Sequence, residues 1–193
     1  MNGNRARIAR KPERSENGSA LTEFSAALMM FILFMFVPLL DCGIIPIRYA
    51  FAYGVLNVLT HRMALCEKVS QADQMLKTEK WWHANLTACD IGIKSTSLNL
   101  KVVSKQNAET QVRIPEPAAL PAQWQPDANA GPYFYYLELT TELEISPLFK
   151  MDMFGAGLPG LTGPATIAIT TDADWENLGR DSESPAQDFY LNE

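Results

Sequence analysis

Between Gly18 and Leu40 the chain reads GSALTEFSAALMMFILFMFVPLL, and no other stretch limits its fold as much. Ser25–Leu40 is sixteen residues without a charge, and Ser19–Leu40 is twenty-two with only Glu23. A helix rises about 1.5 Å per residue, so roughly 20 such residues cross the hydrocarbon core of a bilayer. Pro38 stands near the end of the run, where a kink is tolerated, and Asp41 closes it. Five bases (Arg5, Arg7, Arg10, Lys11, Arg14) and two acids (Glu13, Glu16) precede Gly18, in a chain of net charge -6. A basic segment before an apolar span predicts one membrane crossing with the basic end in the cytoplasm. The acidic remainder argues against a nucleic-acid partner, because phosphate binding needs clustered Lys and Arg.

Four kinds of segment share this outline. A cleaved secretory signal needs small residues around a site after its apolar core, and Pro38-Leu39-Leu40-Asp41-Cys42 offers none. A lipoprotein signal needs a small residue before the modified cysteine, and Asp41 precedes Cys42. A plain membrane anchor fits the length but leaves Glu23 to be explained. An acidic side chain deep in a bilayer costs roughly 2.5–3.5 kcal/mol, less where it snorkels to the interface. The fourth kind is a prepilin-type leader. The segment resembles the site cut by type IV prepilin peptidases, with Gly18 as the last leader residue and Ser19 as the first mature one. Glu23 then falls at the fifth mature position and the aromatic Phe24 at the sixth, the variant of the Flp/Tad branch. Cleavage would free an amine at Ser19. Glu23 would supply the charge that neutralises an amine, its own or a neighbour's, in a low-dielectric bundle.

Beyond Asp41 the pattern reads as a helix bent at Pro46. Phe51, Val55, Val58, Arg62, Leu65, Val69, Ala72 and Leu76 recur at steps of four and three, broadened by Leu56, Leu59, Met63 and Cys66. The spacing predicts an amphipathic helix packed on a domain, with Arg62 the one polar intruder. Trp81 and Trp82 follow and suit core or partner packing. Three cysteines are too few for a disulfide framework. In an exported domain a Cys66–Cys89 disulfide would staple the helix to the next segment, with Cys42 at the membrane edge, free or paired between subunits. His61, Cys66, His83 and Cys89 match none of the common zinc spacings, so no metal is expected.

Strand signals come next. Ser97–Ser104 alternates, with Leu98, Leu100 and Val102 on one face. Tyr133–Ile145 is the clearest strand: Tyr133, Tyr135, Leu137, Leu139, Leu143 and Ile145 point inward, and Glu138, Thr140, Glu142 and Glu144 outward. Thr166–Ala173 gives a third, with Ile167 and Ile169 inward. Ile114–Pro132 holds five prolines and reads as a surface loop. Phe149–Pro164 is apolar and glycine-rich, either a contact surface or a loop folded over the sheet. No nucleophile elbow or convergent acid–base set is present, so the expectation is a non-enzyme without a cofactor. The acidic face of the second strand would suit calcium and nothing more elaborate.

The layout as a whole resembles the TadE-like minor pseudopilins of the tight-adherence (Tad/Flp) pilus system. Gly18–Leu40 carries most of the resemblance. Leu139–Ala173 adds to it, with a Pro/Leu/Gly-rich connection between the last two strands. The resemblance implies an α+β, pseudopilin-like fold: an N-terminal transmembrane helix extending into an amphipathic helix packed on a small antiparallel sheet. It divides the chain into a basic cytoplasmic leader (1–18), a transmembrane helix (19–40) and a helical extension (41–80). A small exported α+β domain (81–179) and a polar tail (180–193) follow. It implies a structural subunit cut after Gly18 by a prepilin peptidase. Its partners would be other Tad/Flp pilus subunits, the inner-membrane assembly platform and membrane lipid, in adhesion or secretion. Glu23 would align subunits and Phe24 would pack helices. The place implied is the bacterial inner membrane, crossed once, with the C-terminal domain periplasmic or extracellular. The rival from another class is an uncleaved single-pass anchor carrying a periplasmic binding or interaction module.

Overall fold

Apolar side chains at nearly every position from Leu21 to Leu40 give a helix with no polar side. The computed structural model describes residues 16–105, 111–115, 120–127, 132–148, 163–180, 189 and 191. In it α1 covers Glu16–Phe31, a wide turn covers Ile32–Phe36, and α2 covers Val37–Ala64. Pro38 accounts for the wide turn. It has no N–H for the Phe34 carbonyl, and in a regular helix its ring would press on that carbonyl. The turn before it opens, and the Val37 N–H bonds back to Ile32, five residues earlier. That is the π pattern. α2 continues through Pro46, which cannot return a bond to the Cys42 carbonyl. The chain separates into two compact units, Met1–Leu40 and Asp41–Glu193.

In the second unit the helix ends at Ala64, where the Cys66 N–H turns back to the Met63 carbonyl at 3.0 Å. Two short helices follow, α3 (Val69–Thr78) and α4 (Trp81–Ala88). The single extension expected to residue 80 is thus broken into α2 and α3, with α4 beyond it. Asp90 then takes a φ of 57°, a left-handed turn that an aspartate tolerates better than most residues, and leads into the sheet. The strands are β1 (Ile91–Ser104), β2 (Gln111–Pro115), β3 (Tyr133–Ile145) and β4 (Ala165–Asp174). All neighbours pair antiparallel, in the order β2-β1-β3-β4. The fold class is α+β, as expected. β3 has the predicted bounds, β4 differs by one residue at each end, and β2 is an addition whose last two residues, Ile114 and Pro115, fall in what reads as a loop.

β1 starts six residues before the predicted strand, and a bulge is the reason. The pairing with β3 runs Ile91↔Ile145, Ile93↔Leu143, then slips at Lys94 before Ser95↔Glu142. One extra residue reverses which side the following side chains face. Ile91 and Ile93 therefore join Leu98, Leu100 and Val102 on the core face, although odd and even positions should oppose each other.

The core lies between α2, α3 and α4 and one face of the sheet. Ala52, Leu56, Leu59 and Met63 of α2 are fully buried against Leu137, Leu139, Leu143 and Ile169. Each such large side chain contributes roughly 1.5–3 kcal/mol by leaving water. This face is rotated from the predicted stripe. Phe51 is 41% exposed, Val58 51% and Leu65 75%. One polar pair crosses the interface: Thr60 Oγ1 lies 2.6 Å from Thr171 Oγ1, both buried. Hydroxyls at matching depth satisfy each other there, so neither is left as an uncompensated polar group.

Candidate functional site

The feature that calls for a function is the apolar helix. Ala20–Ala64 is one helix of 45 residues, with a mean hydropathy of 2.4 in its most apolar window. It is long and apolar enough to cross a membrane. Only 11% of that window is buried inside the chain, so the run is not consumed by the protein's own core. A helix apolar on all sides and left uncovered belongs against lipid or against other helices.

The predicted site residues stand as follows. Gly18 and Ser19 lie in the first turn of α1, where backbone N–H groups have no partner earlier in the helix. Glu23 and Phe24 are exposed on α1, Phe24 at 68%. Nearby, the Ser25 hydroxyl donates to the Leu21 carbonyl at 2.8 Å, so this polar group adds no unsatisfied atom to the apolar surface.

Asp41, which reads in sequence only as the charge that closes the run, is 1% exposed. Its Oδ1 accepts the Leu148 backbone N–H at 2.7 Å. Seven residues on, on the same side of α2, Arg48 donates to the Ser146 carbonyl and faces Asp90 at 3.8 Å. These two charged residues tie α2 to the segment that follows β3, beside Pro147. The only sequence signal for the pair is the seven-residue spacing, two helical turns, which puts both on one face.

Cys66 and Cys89 are both free thiols, as is Cys42, so the expected Cys66–Cys89 staple is not present. Both pack partly buried against the core. Burial, with a smaller push from the Glu79 carboxylate, raises the Cys66 thiol above its usual range. Arg62, the polar intruder, pairs with Glu79 at 3.4 Å and lies 5.6 Å over the Trp81 ring. Trp81 Nε1 also donates to Glu79. Trp82 instead enters the core, 1% exposed.

The outer face of the sheet carries a charge row across all four strands. Arg113 of β2 donates to both carboxylate oxygens of Glu138 on β3, at 2.8 and 3.1 Å. Lys101 of β1 lies 3.8 Å from Glu138 and 3.1 Å from Asp172 of β4. Glu138 is therefore 5% exposed, not solvated as its alternation suggests. Long cationic side chains lie over it and compensate its burial. At the corner of α4 and β1 an open cleft of about 290 Å³ is lined by His83, Asp90 and Glu144 among others. Among the described residues no three His, Cys, Asp or Glu converge where a metal could sit. The apolar Phe149–Pro164 stretch lies outside the described residues except Gly163 and Pro164.

No protein-family model, curated protein or solved structure matches the chain.

Proposed function

We propose that the chain is a structural subunit of a membrane-assembled filament, a TadE-like minor pseudopilin of the Tad/Flp kind. In this reading a prepilin peptidase cuts after Gly18, and the subunit joins other pilus subunits on an inner-membrane platform. It works in adhesion or secretion and is not an enzyme. The observation that carries the proposal is Glu23, an acid placed on an otherwise apolar and uncovered helix. Lipid alone penalises that carboxylate by roughly 2.5–3.5 kcal/mol. In an assembled bundle the amine freed at Ser19, its own or a neighbour's, would lower that cost. The exposure of the run supports the reading, because only 11% of its most apolar window is buried inside the chain.

The test is Glu23→Ala in the full chain, expressed with its native neighbours. Membrane insertion should remain at the wild-type level, while incorporation into sheared surface filaments, or filament formation itself, should fall to background. Normal filaments containing the variant would sink the proposal.

A further inference from the structure

The sheet has an open edge of unusual regularity. β4 is its last strand, and all ten of its residues pair with β3 without a shift, from Tyr136↔Asp174 to Ile145↔Ala165. Among the described residues no strand lies on its other side. Half the backbone N–H and C=O groups of such a strand point outward, a template for one more strand. Natural edges are guarded by proline, lysine, a bulge or a short length. β4, ATIAITTDAD, has none of these. What it has is acid.

On the outer face Asp172 and Asp174 stand toward one end of β4, and Glu142 and Glu144 of β3 stand opposite Ala168 and Thr166 toward the other. Lys94 takes up Glu144 at 3.3 Å, and Lys101 takes up Asp172 at 3.1 Å. Glu142 and Asp174 are exposed and have no cation partner among the described residues, and Glu176 follows just past the strand. On the other face β4 shows Ile167 and the buried Ile169. A second copy is a poor occupant. β4 against β4 brings two acidic faces together. β2, the other edge, has five residues, and its Arg113 is already held by Glu138.

We propose that β4 takes an extended segment of another polypeptide as a fifth strand, one that alternates apolar residues with lysine or arginine. The apolar side extends the core face beside Ile167 and Ile169. The basic side meets Glu142 and Asp174, and the backbone pairs along the edge. Acids here repel the protein's own copies and select a basic partner, so one feature gives both solubility and specificity. The inference does not depend on the filament reading.

The experiment uses the full chain in nonionic detergent micelles and two ten-residue peptides, one alternating valine and lysine, the other valine and glutamate. Amide hydrogen exchange over residues 165–174 is followed by mass spectrometry. In the free protein the outward amides of β4 should exchange fast, and the lysine peptide should slow them while the glutamate peptide does not. The double variant Glu142→Lys, Asp174→Lys should reverse that preference, each peptide changing in affinity by about three- to tenfold. Both substitutions are on exposed side chains and leave the core untouched. Slow exchange along the whole of β4 in the free chain would overturn the proposal. So would equal protection by both peptides, protection by neither, or dimerisation through β4.

Discussion

At the scale of single residues, Asp41 shows how a charge can hold two meanings. In sequence it ends an apolar run. In the structure it is buried and receives the Leu148 N–H, which fixes the chain just past β3. Asp41→Ala leaves that donor without its acceptor and should cost about 1–3 kcal/mol. Asp41→Asn keeps an acceptor and should cost less. Urea unfolding of the full chain, followed by tryptophan fluorescence, separates the two, and equal stability of wild type and Asp41→Ala would refute the role. Tyr135 gives a pH signature. Burial first, and then the nearby Tyr133 and Asp127, push its hydroxyl up to about 12. It donates to the Trp124 carbonyl at 2.9 Å. Unfolding returns the phenol to about 10, so between those values the unfolded chain has lost a proton that the folded chain keeps. Stability from this group is full below about pH 10 and declines as pH rises toward 12. Tyr135→Phe should flatten that decline, measured by unfolding at stepped alkaline pH. Glu23, Arg48 and the thiols differ in how far sequence reveals them. An acid inside an apolar run is conspicuous, but an arginine bonding to a carbonyl 98 residues away leaves no local trace.

Among the elements, the strands were legible in proportion to their regularity. β3 alternates without interruption over Tyr133–Ile145, and its period alone gives its bounds. β1 hides its first half because the bulge at Lys94 puts Ile91 and Ile93 out of phase with Leu98 and Leu100. β2 is five residues long and ends at Pro115, so proline content masks it. The helix α2 misled differently. Apolar residues lie on both its sides, and period alone cannot say which side meets the sheet. Ala52, Leu56, Leu59 and Met63 do, leaving Phe51, Val58 and Leu65 outside. The bulge makes a sharp prediction. Deleting Lys94 restores a regular ladder in which Ile91 still pairs with Ile145 and Ile93 with Leu143, both on the core face. Ile91, now 2% exposed, keeps its burial, so the deletion should cost well under the roughly 1.5–3 kcal/mol that exposing such a side chain costs. A melt of the deletion variant beside Ile91→Ala checks it, because the alanine removes the buried side chain and should melt well below the deletion.

At the scale of the whole molecule, the chain joins two parts with opposite demands on solvent. Leu21–Leu40 presents apolar side chains outward, and Asp41–Glu193 buries its own around an antiparallel sheet. The first part says what surroundings the protein needs, and its composition made that plain in sequence. The second was legible as a class, because period-2 strands after an amphipathic helix leave few architectures. Its edges, bulge and buried charges come from contacts between distant segments, which no local pattern records. The filament reading rests on the first part being a processed segment and not a permanent anchor. The amino terminus of the protein extracted from its native membrane decides this, read by sequencing together with the intact mass. The account predicts a start at Ser19 and its loss in Gly18→Asp, which should keep the leader. A wild-type protein that begins at Met1 or Asn2 would contradict it and leave an uncleaved anchor with an interaction domain.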